Sequence, residues 1–169
     1  LRNGAVQAET AIYDEWIRHR FLSASVAYQA EEWYADTIEV TGRWSTLPAM
    51  HKAFMEAARR THPSLEFGSH WSHAYPEGAC EYMTMRLPPM FDDEALPLLF
   101  ELADRVQRIT LEHGGSISHH HGIGLLRGYN LAEELGLGME ILQAIKDHLD
   151  PKGLFLPGKL GLGRRRDAR

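Results

Sequence analysis

Three consecutive imidazoles, His119, His120 and His121, stand inside the glycine-framed run Gly114-Gly115-Ser116-Ile117-Ser118-His119-His120-His121-Gly122-Ile123-Gly124. The glycines let the backbone take positive φ and come close to a ligand, while neighbouring histidines supply donors and acceptors that change charge near neutral pH. The run is internal and a patterned segment follows it, which separates it from a terminal tag. It reads as a binding or catalytic loop. Two other readings stay open: a metal site, and a structural loop whose imidazoles satisfy buried backbone groups. For a metal the local geometry is poor. Adjacent side chains of an extended segment alternate in direction, so at most His119 and His121 share an ion, and no Cys, Asp or Glu stands beside them at ligand spacing. No resident metal is expected.

A second candidate lies on a strand. In the segment from Ala79 to Leu87, Met83, Met85 and Leu87 share one side while Cys80, Tyr82, Thr84 and Arg86 share the other, so one face reads as core and the other as a working surface. A phenol such as that of Tyr82 acts as a base only where cationic or hydrogen-bonding neighbours stabilise its anion, and Arg86 and the histidines could do that. A core tyrosine with a satisfied hydroxyl is the alternative. His73 and Tyr75 lead into the Pro76-Glu77-Gly78 turn and either line the same site or flank a tight bend.

The elements that must position these groups follow from periodicity. Ala8 to Phe21 has helical spacing, and a second helical or irregular stretch runs to about Tyr34. Thr37-Ile38-Glu39-Val40-Thr41 alternates as a half-buried strand. Ser45 is placed as a helix cap, Pro48 fits a first turn, and Leu47, Met50, Phe54 and Ala57 or Ala58 follow at helical intervals to about Arg60. Leu65, Phe67, Ser69 and Trp71 alternate with Glu66, Gly68, His70 and Ser72 as a strand that returns through Ala79 to Leu87. Asp92 or Asp93 then caps a long amphipathic helix to His113, with Leu96, Leu99, Ala103, Val106 and Ile109 on one stripe. With Ser116-Ile117-Ser118 as a last short strand, the order is βαββα(β). That is the ferredoxin-like α+β arrangement, an antiparallel sheet with helices on one face, here followed by C-terminal helices. Those helices are expected at Leu125 to Leu135 and Gly138 to Leu149, the second with Met139, Leu142, Ile145 and Leu149 facing inward. Leu154 to Leu160 reads as an extended apolar tail.

Composition bounds the function. The chain has 169 residues, of which 44% are apolar and 24% charged, enough for one domain with a real core and ordinary for a globular protein. A net charge of -5, with Arg164-Arg165-Arg166 the sole basic cluster, argues against nucleic acid as a partner. No apolar run is long enough to span a bilayer and no signal-peptide order opens the chain, so a cytoplasmic location is expected. Cys80 is the single cysteine, which excludes an intramolecular disulfide. Leu1 is not an initiator methionine, and a chain lacking its front is expected.

Tyr75-Pro-Glu-Gly-Ala-Cys-Glu-Tyr82, the triple-histidine loop, Leu149-Asp150-Pro151 and Leu156-Pro157-Gly158-Lys159-Leu160 together resemble the C-terminal portion of FAD-linked oxidases of the vanillyl-alcohol-oxidase superfamily. The resemblance runs from about Trp16 to Leu160 and is strongest to the alkyldihydroxyacetonephosphate-synthase-like branch. It implies an FAD-dependent oxidoreductase in which residues 1–35 are a helical lead-in, 36–118 a cap or substrate domain, 119–160 the histidine loop with helices returning to the FAD domain, and 161–169 a disordered tail. It further implies that Tyr82, His120 and His121 are catalytic, that His73, Tyr75, Arg86 and His119 bind a small-molecule substrate, and that Ser118, His119 and Gly122 contact FAD. No glycine-rich pyrophosphate loop precedes Trp16, so FAD is expected to be held mainly by another domain, in cis or in trans; a homodimer stays open. The synthases carry a phosphate-binding arginine where this chain has Ser25, which leaves the substrate undetermined. A non-catalytic α+β binding module and a metal-dependent enzyme built on the histidine run are the alternatives.

Overall fold

The computed structural model describes residue 4, residues 7–20 and residues 33–163. The stretch expected between Phe21 and Glu32, Ser25 within it, and the terminal arginines lie outside the described residues. Helix α1 spans Thr10–His19 and buries none of its side chains. Strand β1 (Tyr34–Arg43), helix α2 (Leu47–Thr61), strands β2 (Glu66–Ala74) and β3 (Gly78–Leu87) and helix α3 (Asp92–Glu112) follow, then α4 (Leu131–Leu135), α5 (Leu137–Leu149) and a 3-10 turn at Lys159–Gly161. The sheet is antiparallel in the order β1-β3-β2. The short last strand is reduced to one bridge, Thr41 to Ser116, each donating its N–H to the other's carbonyl at 2.9 Å.

Alternation decides which face is dry. Ile38 and Val40 of β1 and Met83, Met85 and Leu87 of β3 point to one side and are fully buried against Met50, Phe54, Ala57 and Ala58 of α2 and Ala95, Leu99, Leu102, Ala103 and Val106 of α3. Fully burying a side chain such as Phe54 contributes roughly 1.5–3 kcal/mol, so this two-layer core carries the fold. The cap of α2 is Thr46 and that of α3 is Phe91, neither with a side-chain capping bond, and Leu96 is exposed rather than on the α3 stripe. In place of such a bond, three acidic residues, Asp92, Asp93 and Glu94, favour the positive end of α3.

The C-terminal segment departs from expectation. Residues 124–130 form turns, and α5 buries no residue; Ile145 is 50% and Leu149 73% exposed. The physical reason is that α2 and α3 already cover the apolar face of the sheet, so α5 packs beside α4 and the C-terminal turns, with Met139 and Leu142 half-buried and Ile145 and Leu149 facing outward. The segment 154–160 turns back instead of extending: Asp150 accepts the N–H groups of Leu154 and Phe155 at 2.9 Å each and pairs with Lys146. The Lys146 bond, with these N–H donors, holds the Asp150 carboxyl down at about 2. Leu162, assigned to the tail, is buried.

Candidate functional site

The face of the sheet turned away from the helices carries the chemistry. Its cross-strand rows follow from the register: His70, Tyr82 and Glu39 lie side by side, and so do His73, Cys80 and Thr41. The second row exists because of an irregularity. His70 pairs with Tyr82 but His73, not Ser72, pairs with Cys80, so an extra residue between them reverses the parity of β2 and turns His73 to the working face.

The histidine loop lies over this face, held by a buried carboxylate. Glu39 is fully buried; its Oε1 accepts the Ser118 hydroxyl (2.9 Å) and the His121 N–H (2.9 Å), and its Oε2 accepts the His119 N–H (2.5 Å). Burial alone pulls this carboxyl up, but the His121 N–H, the Ser118 hydroxyl, the His119 N–H and the charge of Arg127 together hold it below its ordinary value. The turn thus closes around an anion supplied by β1, much as a backbone nest closes around phosphate. Gly122, at φ +80°, lets the chain reverse there, and its N–H bonds to Ser118 Oγ at 3.1 Å. From behind, Glu134 of α4 accepts the Ile117 N–H at 3.0 Å and Arg127 donates to the Gly122 carbonyl at 2.7 Å. Asn130 donates to Asp104 and Gln107 of α3, tying the following turns to the core helix.

The rings that result are close-set. Tyr82 stacks with His70 (centroids 4.8 Å apart, planes at 21°) and with His120 (5.8 Å, 26°), and meets His121 edge-on at 5.0 Å. Its hydroxyl donates to Thr37 Oγ1 at 3.3 Å. His73 lies 5.1 Å from His119 and 5.0 Å from His120, and Tyr75 Oη is 2.8 Å from His119 Nε2. Of the residues singled out from sequence, Tyr82, His73, Tyr75, His119, His120 and His121 come together. Arg86 shares the face but lies at its far end beside Glu66 (3.9 Å), where both line an open cavity of about 310 Å³ with Gly68, His70 and Thr84; the Tyr82 hydroxyl donates to Thr37. Ser118 and Gly122 are turned to each other, and Ser118 also to Glu39, inside the loop. A second open cavity, of about 430 Å³, lies between the Tyr75 turn and Gly114-Gly115-Ser116.

Three participants escaped the sequence reading. Glu39 looked like the solvated side of an alternating strand; an acidic residue flanked by Ile38 and Val40 was the available signal. His70 was assigned by parity alone and not connected to Tyr82. On the opposite face, Glu81 is fully buried, with Oε1 2.7 Å from His51 Nδ1 and Oε2 unpartnered. The expected limit on metal ligation also changes: one ligand-type atom from each of His73, Cys80, His119 and His120 lies within 4.8 Å of the others. His119 and His120, neighbours in sequence, share a side because the loop is a turn around Glu39 and not an extended segment. The cysteine that no local spacing supplied arrives from β3.

Comparison with known proteins places the chain in a family. The family model for the C-terminal domain of FAD linked oxidases matches residues 4–160. An alkyldihydroxyacetonephosphate synthase of Trypanosoma brucei brucei is 29% identical over 140 residues, covering 78% of this chain and 22% of that protein. The uncharacterized FAD-linked oxidoreductase YgcU of Escherichia coli O157:H7 is 28% identical over 133 residues, covering 73% of this chain and 27% of that protein. A solved alkyldihydroxyacetonephosphate synthase superposes with a TM-score of 0.47 at 19% identity, over 74% of this chain and 20% of that one. The chain therefore spans between 22% and 27% of the length of these two curated relatives. No helix among the described residues is long and apolar enough to cross a membrane. Because the match takes in the sheet, the histidine loop and the C-terminal turns alike, this chain belongs to the FAD linked oxidase C-terminal domain family.

Proposed function

We propose that this chain is the substrate-side portion of an FAD-dependent oxidoreductase, in which Tyr82 and the histidine loop activate a C–H bond of a small-molecule substrate. The observation that carries the reading is the convergence of Tyr82, His120 and His121, with ring centroids between 4.4 and 5.8 Å apart, on a sheet face that the chain's own core does not cover. Residues 36–118 supply the substrate-facing surface. Residues 119–160 carry the loop and the helices that return toward an FAD-binding domain, in cis or in trans.

The residues present fit a flavin. The donor set is aromatic and imidazole, and on α5 Leu137, Ile141, Ile145 and Leu149 form an exposed apolar stripe suited to a neighbouring domain. His119, with Ser118 and Gly122 shaping the turn, is the group placed to contact the cofactor. The chemistry FAD supplies when bound is two-electron acceptance. The chain's own part is proton handling and orientation. The Tyr82 hydroxyl is the atom that takes or returns the substrate proton, held in direction by Thr37. His120 and His121 lie against the phenol ring as hydrogen-bonding neighbours for a substrate, and stacking on His70 fixes the ring plane. Glu39, which touches no substrate in this scheme, is a positioning residue that sets the loop.

The test is reductive half-reaction kinetics on the protein joined to its FAD-binding domain, followed by bleaching of flavin absorbance under anaerobic conditions with 2-hydroxy acids and alcohols as trial substrates. Tyr82→Phe is expected to keep flavin bound and lose reduction by about 10²-fold or more. His121→Ala is expected to slow reduction as well. Unchanged flavin reduction in both variants would remove these residues from the mechanism.

A further inference from the structure

We propose that Glu81 and His51 are positioning residues, a clamp beneath β2 that fixes its irregularity and thereby decides which side chains of that strand reach the working face. The residue opposite the irregularity is Glu81. His70 pairs with Tyr82 and His73 with Cys80, so Trp71 and Ser72 together stand against Glu81 alone. The Glu81 side chain is fully buried on the helix side of the sheet and meets His51 of α2, with Oε1 2.7 Å from Nδ1. Trp71, the first of the two opposed residues, meets the same imidazole edge-on, with ring centroids 6.0 Å apart and planes at 82°. Ser69 Oγ lies 3.4 Å from its Nδ1. The strand before the irregularity and the irregularity itself both seat on His51.

A buried carboxyl group is a costly way to fill a layer. Glu81 Oε2 has no hydrogen-bond partner among the described residues, and an apolar pair of similar volume would serve stability as well or better. What the polar pair adds is register. From Trp71 to Ala74 every residue of β2 is exposed, so burial does little to choose which of them opposes which residue of β3. Regular pairing after His70 would set Ser72 opposite Cys80 and His73 opposite Ala79, which turns the His73 ring to the helix side and shortens the hairpin turn by one residue.

The clamp opposes that slip at the strand, and Trp44 opposes it at the turn. The Trp44 ring lies 6.2 Å from that of Trp71, its Nε1–H donates to the Tyr75 carbonyl at 2.8 Å and its backbone N–H to the Glu77 carbonyl at 3.1 Å. Glu81, His51, Trp71, Trp44 and Tyr75 thus form one connected set from the core layer to the rim of the site, where Tyr75 Oη meets His119 Nε2 at 2.8 Å. In the observed register His73 lies 5.1 Å from His119 and 5.0 Å from His120; the slipped register withdraws that ring and re-aims Tyr75. The effect of the clamp on catalysis rests on the oxidoreductase reading above, whereas its effect on register does not.

Cys80, the single cysteine, makes the register readable. Directly opposed residues of an antiparallel pair have Cα atoms about 4.5–5.5 Å apart, within reach of a disulfide. In the 169-residue chain oxidised with diamide, His73→Cys is expected to cross-link to Cys80 and Ser72→Cys about 10-fold less or weaker still, counted by peptide mapping without reductant. In the His51→Leu/Glu81→Leu background, which fills the layer without the clamp, that preference should fall by about 10-fold, the effect of losing one strong hydrogen bond. Glu81→Gln keeps an acceptor for His51 and should retain the parent preference. Circular dichroism and thermal melting establish that each background folds, and Trp71→Ala, which cuts the contact between the irregularity and the imidazole, serves where the leucine pair does not. On protein joined to its FAD-binding domain, the leucine pair should slow flavin reduction by about 10-fold while flavin stays bound and the melting temperature stays at or above that of the parent, a split that a merely structural role would not give. A preference left unchanged by the leucine pair and by Trp71→Ala, or a parent in which Ser72→Cys cross-links as well as His73→Cys, would overturn the clamp. A shifted preference with undiminished flavin reduction would leave the clamp standing and count against the oxidoreductase reading of this face.

Discussion

Replacing Glu39 with glutamine removes one negative charge and converts one of two acceptor oxygens into a donor. In the parent, Oε1 takes the Ser118 hydroxyl and the His121 N–H, and Oε2 takes the His119 N–H. If the amide oxygen keeps the first pair, the new NH2 group faces the His119 N–H, and a buried donor left without a partner costs about 1–3 kcal/mol. The two surviving bonds lose their charge assistance, which costs about 1 kcal/mol more in total. Glu39→Gln is thus expected to destabilise by about 2–4 kcal/mol, a fall of roughly 5–15 °C in melting temperature for a chain of this size. The pH dependence has a definite sign. Glu39 is depressed in the folded chain, so its stabilisation is fully present above the unfolded value near 4.5 and disappears as pH falls through the lower folded value. Urea denaturation of both proteins from neutral pH into acid should therefore show a gap that narrows below about pH 4.5. A variant within about 0.5 kcal/mol of the parent at neutral pH, or a gap that persists unchanged in acid, would refute the claim that this carboxylate holds the loop.

Two further expectations follow from packing. A Cβ at Gly115 would lie 2.4 Å from the Thr41 carbonyl oxygen and 2.8 Å from Thr110 Cγ2, so Gly115→Ala should destabilise by about 1–3 kcal/mol and accelerate amide exchange at Thr41 and Ser116, which the bridge protects. Unaltered exchange at those two amides would count against close packing of Gly115 as what holds the bridge together. Phe54→Ala, which empties the centre of the layer between sheet and helices, should cost about 3–5 kcal/mol by chemical denaturation while leaving the near-ultraviolet environment of the exposed Trp44 and Trp71 pair largely intact.

Much of the framework was legible in local pattern. Period-two alternation in Ala79 to Leu87 separates Met83, Met85 and Leu87 from Cys80, Tyr82, Thr84 and Arg86, and the fold buries the first set, as that parity requires. Helical spacing likewise located α2 and α3. The pattern was misleading at α5, whose apolar stripe marks a surface to be covered without saying by what; among the described residues, Ile145 and Leu149 are left exposed.

The sequence by itself determined the chemistry available, three imidazoles in a glycine frame and a phenol on a polar strand face, because residue type and alternation are local properties. Only the tertiary structure decided which of these groups meet. Register is a non-local quantity, and one extra residue in β2 reverses which side chain stands opposite Cys80. Glu39 belongs to the site because strand pairing sets it beside Tyr82 and a turn eighty residues later closes over its carboxylate. A free backbone N–H and a buried carboxylate must each find a partner, and that requirement, satisfied across distant parts of the chain, is what gathers the rings.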